Sequence, residues 1–277
     1  MLLGGCEPGV LDPAGPVAGA DRTILLDSLA IMLAIVVPTI VATLGFAWWF
    51  RAGNTKARHR PDWAYSGRVE LLVWSVPALV VIFLAGMAWI SSHALDPRTP
   101  LPQSPGKPPP LRVEVVSLDW KWLFIYPDQG VASVNHLVVP VGRPVSFRLT
   151  SATVMNSFFV PRLGSQIYTM AGMTTALNLQ ADKPGAYRGL SANYSGKGFP
   201  GMAFTVDAVP RARFDGWVAA VRGAGPLLDG QGYIALLKDS ENVAPYTYRA
   251  VAPGLFDAVV RDAGAHTAKN AVDGRGQ

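Results

Sequence analysis

The sequence predicts two membrane-spanning α-helices in a hairpin, followed by an all-β Greek-key sandwich with a small helical extension at its C-terminal end. Two long uncharged runs, a proline-rich stretch behind them and a series of short β-rich runs predict this class. Hydrophobic residues make up 50% of the 277 residues, charged residues make up 16%, and the mean hydropathy is +0.25. This composition is too apolar for an ordinary soluble protein of this length, and it favours a membrane protein.

The two uncharged runs are long enough to cross a bilayer. They cover residues 28–50 and 71–90, which are 23 and 20 residues. A helix of about 20 residues spans a hydrocarbon core of about 30 Å. Two buried helices of a soluble core are the alternative, but uncharged runs of this length are rare in soluble domains. We therefore expect a transmembrane hairpin over residues 28–95.

The connection between the helices, residues 51–70, predicts the orientation of the hairpin. It contains five arginine and lysine residues but only two carboxylates. Positive residues are retained on the cytoplasmic side, so both termini are expected on the periplasmic side of a bacterial inner membrane. The net charge of +5 does not indicate nucleic acid binding, because no basic stripe is interleaved with aromatic residues.

The stretch LLGGC at residues 2–6 has the residue order of a bacterial lipoprotein cleavage site. Cys6 is the only cysteine of the chain, so it cannot form an internal disulfide or a paired-thiolate metal site. We expect Cys6 to carry a fatty acyl chain such as palmitate, with residues 1–27 as an outer segment. A chance match is the alternative, because the charged and apolar regions of a signal peptide are missing before Cys6.

The composition changes twice beyond the hairpin. Seven prolines in residues 96–111 predict an extended, semi-rigid linker. Residues 112–209 contain about seven β-rich runs between Gly, Pro and Asp turns, which is typical of a Greek-key sandwich or barrel. Residues 210–277 are expected to form short amphipathic helices and to end in a frayed tail.

The stretch GLSANYSGKGFPGM, residues 189–202, has the spacing of a metal-binding loop but different side chains. It follows the pattern S-x3-S-x3-F-x2-M. Soft copper ions prefer thiolate and imidazole donors. Serine hydroxyls and a phenyl ring do not supply these donors, and a single thioether binds weakly. The pattern therefore predicts a loop that keeps the frame of a redox site without binding a metal.

The order of these segments resembles subunit II of the haem-copper respiratory oxidases. The resemblance rests on VMNSFFVPRLG at residues 154–164 and YRGLSANYSGKGFPGM at residues 187–202, behind the two-helix hairpin and the proline linker. It covers nearly the whole chain, and it implies that the sandwich is a cupredoxin. In the cytochrome c oxidase branch, a histidine on one strand and a C-x3-C-x3-H-x2-M loop bind a binuclear copper centre.

Four of the five side-chain ligand positions of that centre are altered in this chain, and the glutamate between the two cysteines is replaced as well. The resemblance places Asn156 at the first histidine, Ser191 and Ser195 at the cysteines, Asn193 at the glutamate, Phe199 at the second histidine and Met202 at the methionine. Loss of the copper centre is typical of the quinol-oxidising branch, in which a quinol passes electrons directly to the haem subunit. We expect the loop glycines to permit its turns, and Phe199 and Tyr194 to fill the volume of the lost centre.

Two further motifs resemble the same branch. The stretch SLDWKWLFIYPDQG, residues 117–130, contains the aromatic residues Trp120 and Trp122. In the cytochrome c branch electrons enter at the position of Trp120, whereas here we expect a packing role, because large aromatic side chains usually serve burial. Residues 229–260 resemble the aromatic-rich C-terminal motif of quinol oxidase second subunits.

Glu70 is the carboxylate to which we assign a chemical role. It lies at the start of the second predicted helix, where the helix dipole favours an acidic residue. The resemblance implies a second role, at the entrance of a proton pathway into the catalytic subunit, and acids against a partner's membrane helices are often functional. Both interpretations stay open, since one residue can satisfy both.

The resemblance implies a non-haem subunit of a proton-pumping ubiquinol oxidase of the copper-free bo/ba type, a complex that oxidises ubiquinol and reduces O2 to water. It implies no cofactor in this chain, with haems and copper in subunit I. The implied partners are subunit I, the other oxidase subunits, ubiquinol and membrane lipids. The alternatives are a cytochrome c oxidase subunit II and a stand-alone cupredoxin-like lipoprotein for assembly or copper handling.

Overall fold

The computed structural model describes residues 9–58, 60–103, 105–106 and 108–273, with side chains up to residue 265. The chain divides into two compact units. The helical unit comprises residues 22–96. The β unit comprises residues up to 21 together with those from 97 onward.

Two long apolar helices make up most of the helical unit. Helix α1 covers Pro16–Trp49, of which the part from Arg22 belongs to this unit, and helix α2 covers Gly67–Ala94. Both are long and apolar enough to cross a membrane, and the most apolar window of each is 0% buried within the chain. The expectation of two long apolar helices is confirmed. Helix α1 begins at Pro16, well before residue 28. The charged residues Asp21, Arg22 and Asp27 limit the uncharged run, but they do not end a helix.

The β unit is built from thirteen strands among the described residues, and three further α-helices follow strand β10 in the chain. The strands are β1 (Leu111–Leu118), β2 (Lys121–Tyr126), β3 (Val131–Val134), β4 (His136–Pro140), β5 (Val145–Ser151), β6 (Asn156–Phe159), β7 (Ile167–Thr169), β8 (Thr175–Leu179), β9 (Gly185–Ser191), β10 (Ala203–Val209), β11 (Leu227–Leu228), β12 (Tyr246–Tyr248) and β13 (Ala250–Val251). The helices are α3 (Arg211–Gly223), α4 (Gly230–Leu236) and α5 (Leu255–Asp273).

Two mixed sheets form the sandwich. The first has the strand order β12-β3-β2-β1-β5-β8 and the second β4-β10-β9-β6-β7. Strand β1 pairs in parallel with β5 and antiparallel with β2, while β10 pairs in parallel with β4 and antiparallel with β9. The predicted β-sandwich is confirmed. Its strand β12 comes from the C-terminal region, which the sequence analysis assigned to helices.

Besides β12, the sequence prediction missed three further strands of the sandwich, and it misjudged the end of the chain. Strands β3 and β7 are short, and β9 contains two glycines, so none shows a clear alternation of apolar and polar residues. Helix α5 continues to Asp273, whereas a frayed tail was expected from residue 264. The alanine-rich segment after Gly264 has good helix propensity, which explains the continuation.

Aromatic side chains fill the centre of the sandwich. Trp122, Phe124, Phe158 and Phe204 are each at most 4% exposed. Phe158 stacks on Phe204 with ring centroids 5.1 Å apart, and Trp122 lies 5.5 Å from Phe158 and 5.6 Å from Phe204. Each such pair stabilises the fold by about 0.5–1.5 kcal/mol beyond its area burial. The sandwich is therefore held by one continuous aromatic cluster between its sheets.

Gly189 gives this cluster the room it needs. It lies on β9 opposite Phe204 on β10, and a Cβ atom at position 189 would lie 2.1 Å from the Phe204 ring. We expect Gly189→Ala to lower the free energy of unfolding by about 2–3 kcal/mol, because the ring must leave its packed position. Thermal unfolding of the purified full chain measures the change.

Gly216→Ala is the matched control for this substitution. Gly216 lies in helix α3, and no atom approaches the position of an added Cβ within 4 Å. Alanine is a better helix former than glycine, so this variant is expected to gain about 0.5–1 kcal/mol. Equal stability of the Gly189→Ala and wild-type chains would show that the Phe204 ring moves without cost.

Tyr126 makes the stability of the sandwich sensitive to alkaline pH. Its side chain is fully buried; its hydroxyl donates to the Val138 carbonyl oxygen at 3.0 Å and accepts from the Val138 amide at 2.8 Å. Burial raises the pKa of Tyr126 above its usual value of 10.0. Above pH 10 the unfolded chain releases this proton and the folded chain keeps it, so stability falls as pH rises.

We therefore expect Tyr126→Phe to have opposite effects at two pH values. At neutral pH it costs about 1–3 kcal/mol, because two buried backbone groups lose their partner. Above pH 10 the ionisation of Tyr126 lowers the free energy of unfolding of the wild-type chain by about 1.4 kcal/mol per pH unit, and the variant does not show this loss. Chemical unfolding of both chains at pH 7 and above pH 10 tests this. A pH dependence unchanged in the variant would contradict it.

Candidate functional site

The loop between β9 and β10, with the residues at its two ends, contains four of the five ligand-type positions named in the sequence analysis, and Asn156 lies on β6. Ser191 ends β9 and Met202 directly precedes β10. The Ser191 amide donates to the Met202 carbonyl oxygen at 3.1 Å, and a 3-10 turn covers Phe199–Gly201. Gly196 has a φ of 108°, a conformation that strongly favours glycine. The loop is thus closed on itself at one end of the sandwich.

Asn156 and Ser191 form a buried hydrogen-bonded pair at the base of this loop. Asn156 is 1% exposed and Ser191 is 4% exposed. The Ser191 hydroxyl donates to Asn156 Oδ1 at 3.0 Å, and Asn156 Nδ2 donates to the Val154 carbonyl oxygen at 3.3 Å. Two positions that bind copper in the resembling branch are therefore occupied by neutral side chains that bond to each other.

Ser195 and Met202 complete the same cluster. Ser195 Oγ lies 3.9 Å from Met202 Sδ, and Met202 is 2% exposed. Phe199 is half-buried, and its carbonyl oxygen accepts from the Met202 amide at 3.0 Å. The fold thus places Asn156, which the resemblance identified, beside the loop whose spacing identified the other four positions.

Trp120, and not Tyr194, packs against the inner side of the loop. The Trp120 Nε1 donates to the Ser195 carbonyl oxygen at 3.0 Å, and a Cβ atom on Gly198 would lie 2.4 Å from the Trp120 ring. Tyr194 is 74% exposed, and its ring meets the Phe199 ring edge-on at a centroid distance of 5.7 Å. The expectation that Tyr194 fills the volume is wrong, because its side chain lies on the solvent side of the loop.

The two tryptophans of the aromatic motif have different surroundings. Trp122 is fully buried in the core, whereas Trp120 is half-buried in the tight turn between β1 and β2. Trp120 has a φ of 50°, which is unusual for a bulky residue and indicates that its neighbours hold it in place. Sequence reasoning did not pair Trp120 with Gly198, although alternating glycines at 196 and 198 are a signal of close approach by a large side chain.

The donor set of the cluster does not fit a copper pair. It offers an amide, two hydroxyls and one thioether, and Phe199 offers no donor atom at all. Within the described part of the chain, no three His, Cys, Asp or Glu side chains are grouped to hold a metal ion. The histidine of the sandwich, His136 on β4, does not belong to this cluster. Its Nε2 lies 2.8 Å from Asp207 Oδ2 on the neighbouring strand β10.

Glu70 lies in the first turn of helix α2. Its amide donates to the Ser66 carbonyl oxygen at 3.0 Å, and its carboxylate accepts a hydrogen bond from Trp74 Nε1 at 3.2 Å. The N-cap residue Ser66 makes no side-chain capping bond, so the Glu70 charge is the acidic complement to the dipole in this turn. Cys6 lies outside the described residues.

The fold and the loop together define a cupredoxin-like domain of the oxidase subunit II class. The sequence profile of the cytochrome c oxidase subunit II periplasmic domain matches residues 128–209, and that of the COX aromatic-rich motif matches residues 222–262. The aromatic-rich match includes strand β12, which joins the first sheet of the sandwich. The match therefore covers most of the β unit.

Proteins that are similar to this chain over nearly its full length identify the family more narrowly. The chain is 50% identical to the ubiquinol oxidase subunit 2 of Acetobacter aceti, covering 94% of this chain and 84% of that protein. It is 47% identical to the cytochrome bo(3) ubiquinol oxidase subunit 2 of Pseudomonas aeruginosa, covering 94% and 78%. It is 36% identical to the quinol oxidase subunit 2 of Bacillus cereus, covering 86% and 82%. The chain belongs to the ubiquinol oxidase subunit 2 family.

Proposed function

We propose that this chain is the copper-free second subunit of a proton-translocating ubiquinol oxidase. Electrons then pass from ubiquinol to the haems and copper of subunit I without a relay in this chain. The observation that supports this is the buried pair of Asn156 and Ser191, bonded to each other at 3.0 Å where two copper ligands are expected. A site closed by neutral side chains has a structural role.

The helical unit supports an anchoring and assembly role in the inner membrane. The most apolar window of each of its two helices is 0% buried within the chain, so lipid and the helices of partner subunits are the natural surroundings of these windows. The excess of positive charge in residues 51–66 supports a cytoplasmic loop, with both termini in the periplasm. An acyl chain on Cys6 would add a second anchor, which mass spectrometry of the mature N-terminus tests.

Glu70 supports a second contribution, the uptake of protons for subunit I. Its carboxylate is exposed within the chain and has the Trp74 indole as its hydrogen-bond partner. An acidic residue at the end of a membrane helix is well placed to pass protons to a partner that covers it. The chain itself then supplies the titrating group, and the reduction of O2 takes place in subunit I.

Purification of the complex in a mild detergent tests the proposed function. We expect ubiquinol, and not reduced cytochrome c, to support oxygen uptake, and the separated subunit to contain no stoichiometric copper. Haem spectra of the complex show that the haem-bearing subunit was retained, and gel electrophoresis shows the other subunits. Two coppers in this subunit, or rapid oxidation of cytochrome c by the complex, would contradict the proposal and favour a cytochrome c oxidase. A chain that purifies alone with full stability would favour a stand-alone lipoprotein.

A further inference from the structure

A solvent-open cavity lies at the connection between α1 and α2, and its lining is both basic and aromatic. The cavity has a volume of about 720 Å³. Its lining residues are Trp49, Phe50, Lys56, Arg58, Arg60 and Trp63. We propose that this cavity binds the phosphate headgroup of an anionic phospholipid.

The loop is folded so that its cations face one space. Asn54 organises it, because Asn54 Nδ2 donates to the Trp49 carbonyl oxygen at 2.6 Å and Asn54 Oδ1 accepts from the Lys56 amide at 3.2 Å. The first bond connects the loop to the C-terminal end of α1, and the second fixes the turn within the loop. With this conformation Lys56 lines the same cavity as Trp49 and Phe50.

The three cations of the cavity are available to a ligand. Among the described residues, no carboxylate lines the cavity and no ion pair engages Lys56, Arg58 or Arg60. Three positive charges around one space are unfavourable without an anion, and arginine and lysine are the usual partners of phosphate oxygens. The ligand is therefore expected to be an anion with several oxygen acceptors.

The position of the cavity favours a lipid over a soluble phosphate. It adjoins the end of an apolar helix of membrane length, where tryptophan side chains commonly lie at the level of the headgroups. Trp49 is 46% exposed and Trp63 is 60% exposed, so they offer apolar surface to a glycerol unit and the first methylene groups. Basic pockets beside membrane helices bind anionic headgroups, and this argument is independent of which leaflet the loop faces.

Native mass spectrometry of the full-length chain in a non-ionic detergent tests the proposal. Dioleoylphosphatidylglycerol is the probe, and zwitterionic dioleoylphosphatidylcholine has the same acyl chains without the net charge. We expect the wild-type chain to bind the anionic lipid more tightly. Each cation near a membrane surface contributes about five-fold to such binding, so the triple variant Lys56→Gln, Arg58→Gln, Arg60→Gln should lose about 100-fold.

A second triple variant distinguishes binding in the cavity from a general effect of the net charge of the chain. Arg213→Gln, Lys238→Gln and Arg261→Gln remove the same charge from exposed positions of the β unit, and binding is expected to stay within about two-fold. Equal affinity of the wild-type chain for the two lipids would overturn the proposal, as would equal losses in both triple variants. Full competition by soluble glycerol 3-phosphate would assign the cavity to a free phosphate ester. Because the lipid comparison uses the wild-type chain, it remains decisive if the first variant does not fold.

Discussion

The quadruple variant Asn156→His, Ser191→Cys, Ser195→Cys, Phe199→His is expected to bind about two copper ions per chain, whereas the wild-type chain is expected to bind none. The four substitutions supply two imidazoles and two thiolates, the donors that copper prefers, and Met202 is already in place. The positions are brought together in the fold: Ser191 contacts Asn156 at 3.0 Å, and Ser195 lies 3.9 Å from Met202. Metal analysis and the strong visible absorption of thiolate-bound copper measure the result.

The triple variant with Ser191 retained is the control for this prediction. It keeps both imidazoles and one thiolate, so it cannot form a centre with two bridging thiolates, and we expect less copper and a different spectrum. A quadruple variant that folds but takes up no copper would contradict the prediction. It would show that the contact of Trp120 with the loop, through the Ser195 carbonyl oxygen at 3.0 Å, closes the site against metal.

Glu70→Gln is expected to lower quinol oxidase turnover by about tenfold or more while the haem spectrum and subunit content stay normal. The change removes the titrating group, and positioned proton-transfer groups contribute about 10²–10⁴-fold to a rate. Glutamine keeps an oxygen that can accept the hydrogen bond from Trp74 Nε1, which Glu70 accepts at 3.2 Å. Glu70→Asp should recover part of the turnover. Oxygen consumption at saturating quinol is the measurement.

Trp74→Phe is the matched control for Glu70→Gln. It removes the hydrogen bond to the carboxylate but leaves the titrating group in the first turn of α2. We expect this variant to keep most of its turnover. If Glu70→Gln also keeps full turnover and loses at most about 1 kcal/mol of local stability, Glu70 acts only on the helix dipole, and the proposal of proton uptake is wrong.

Local patterns in the sequence predicted the elements that depend on neighbouring residues. The uncharged runs identified α1 and α2, and the spacing from Ser191 to Met202 identified the loop, because each pattern is complete within a short segment. Strand β9 was missed because the stretch GAYRGLS has no regular alternation. A strand of this kind is stabilised by its pairing with β10, which the local sequence does not encode.

Contacts between distant segments were beyond sequence reasoning. The bond between Asn156 and Ser191 joins residues 35 positions apart, and the bond from Trp120 to Ser195 joins residues 75 positions apart. The sequence indicated that the copper donors are replaced, but not that two of the replacements bond to each other. Sequence reasoning assigned the space-filling role to Phe199 and Tyr194, the large residues within the loop. The turn between β1 and β2 supplies Trp120 from the opposite sheet.

The neutral pair of Asn156 and Ser191 also has a consequence for how the protein matures. A cupredoxin whose end is shaped by a metal reaches its final form only after an ion has been delivered and its cysteines have been kept reduced. Here the end of the sandwich is closed by the chain's own side chains, which are present as soon as the chain is synthesised. Neither Ser191 nor Ser195 can be oxidised to a disulfide. We therefore expect the β unit to complete its folding without a metal chaperone or a thiol reductant.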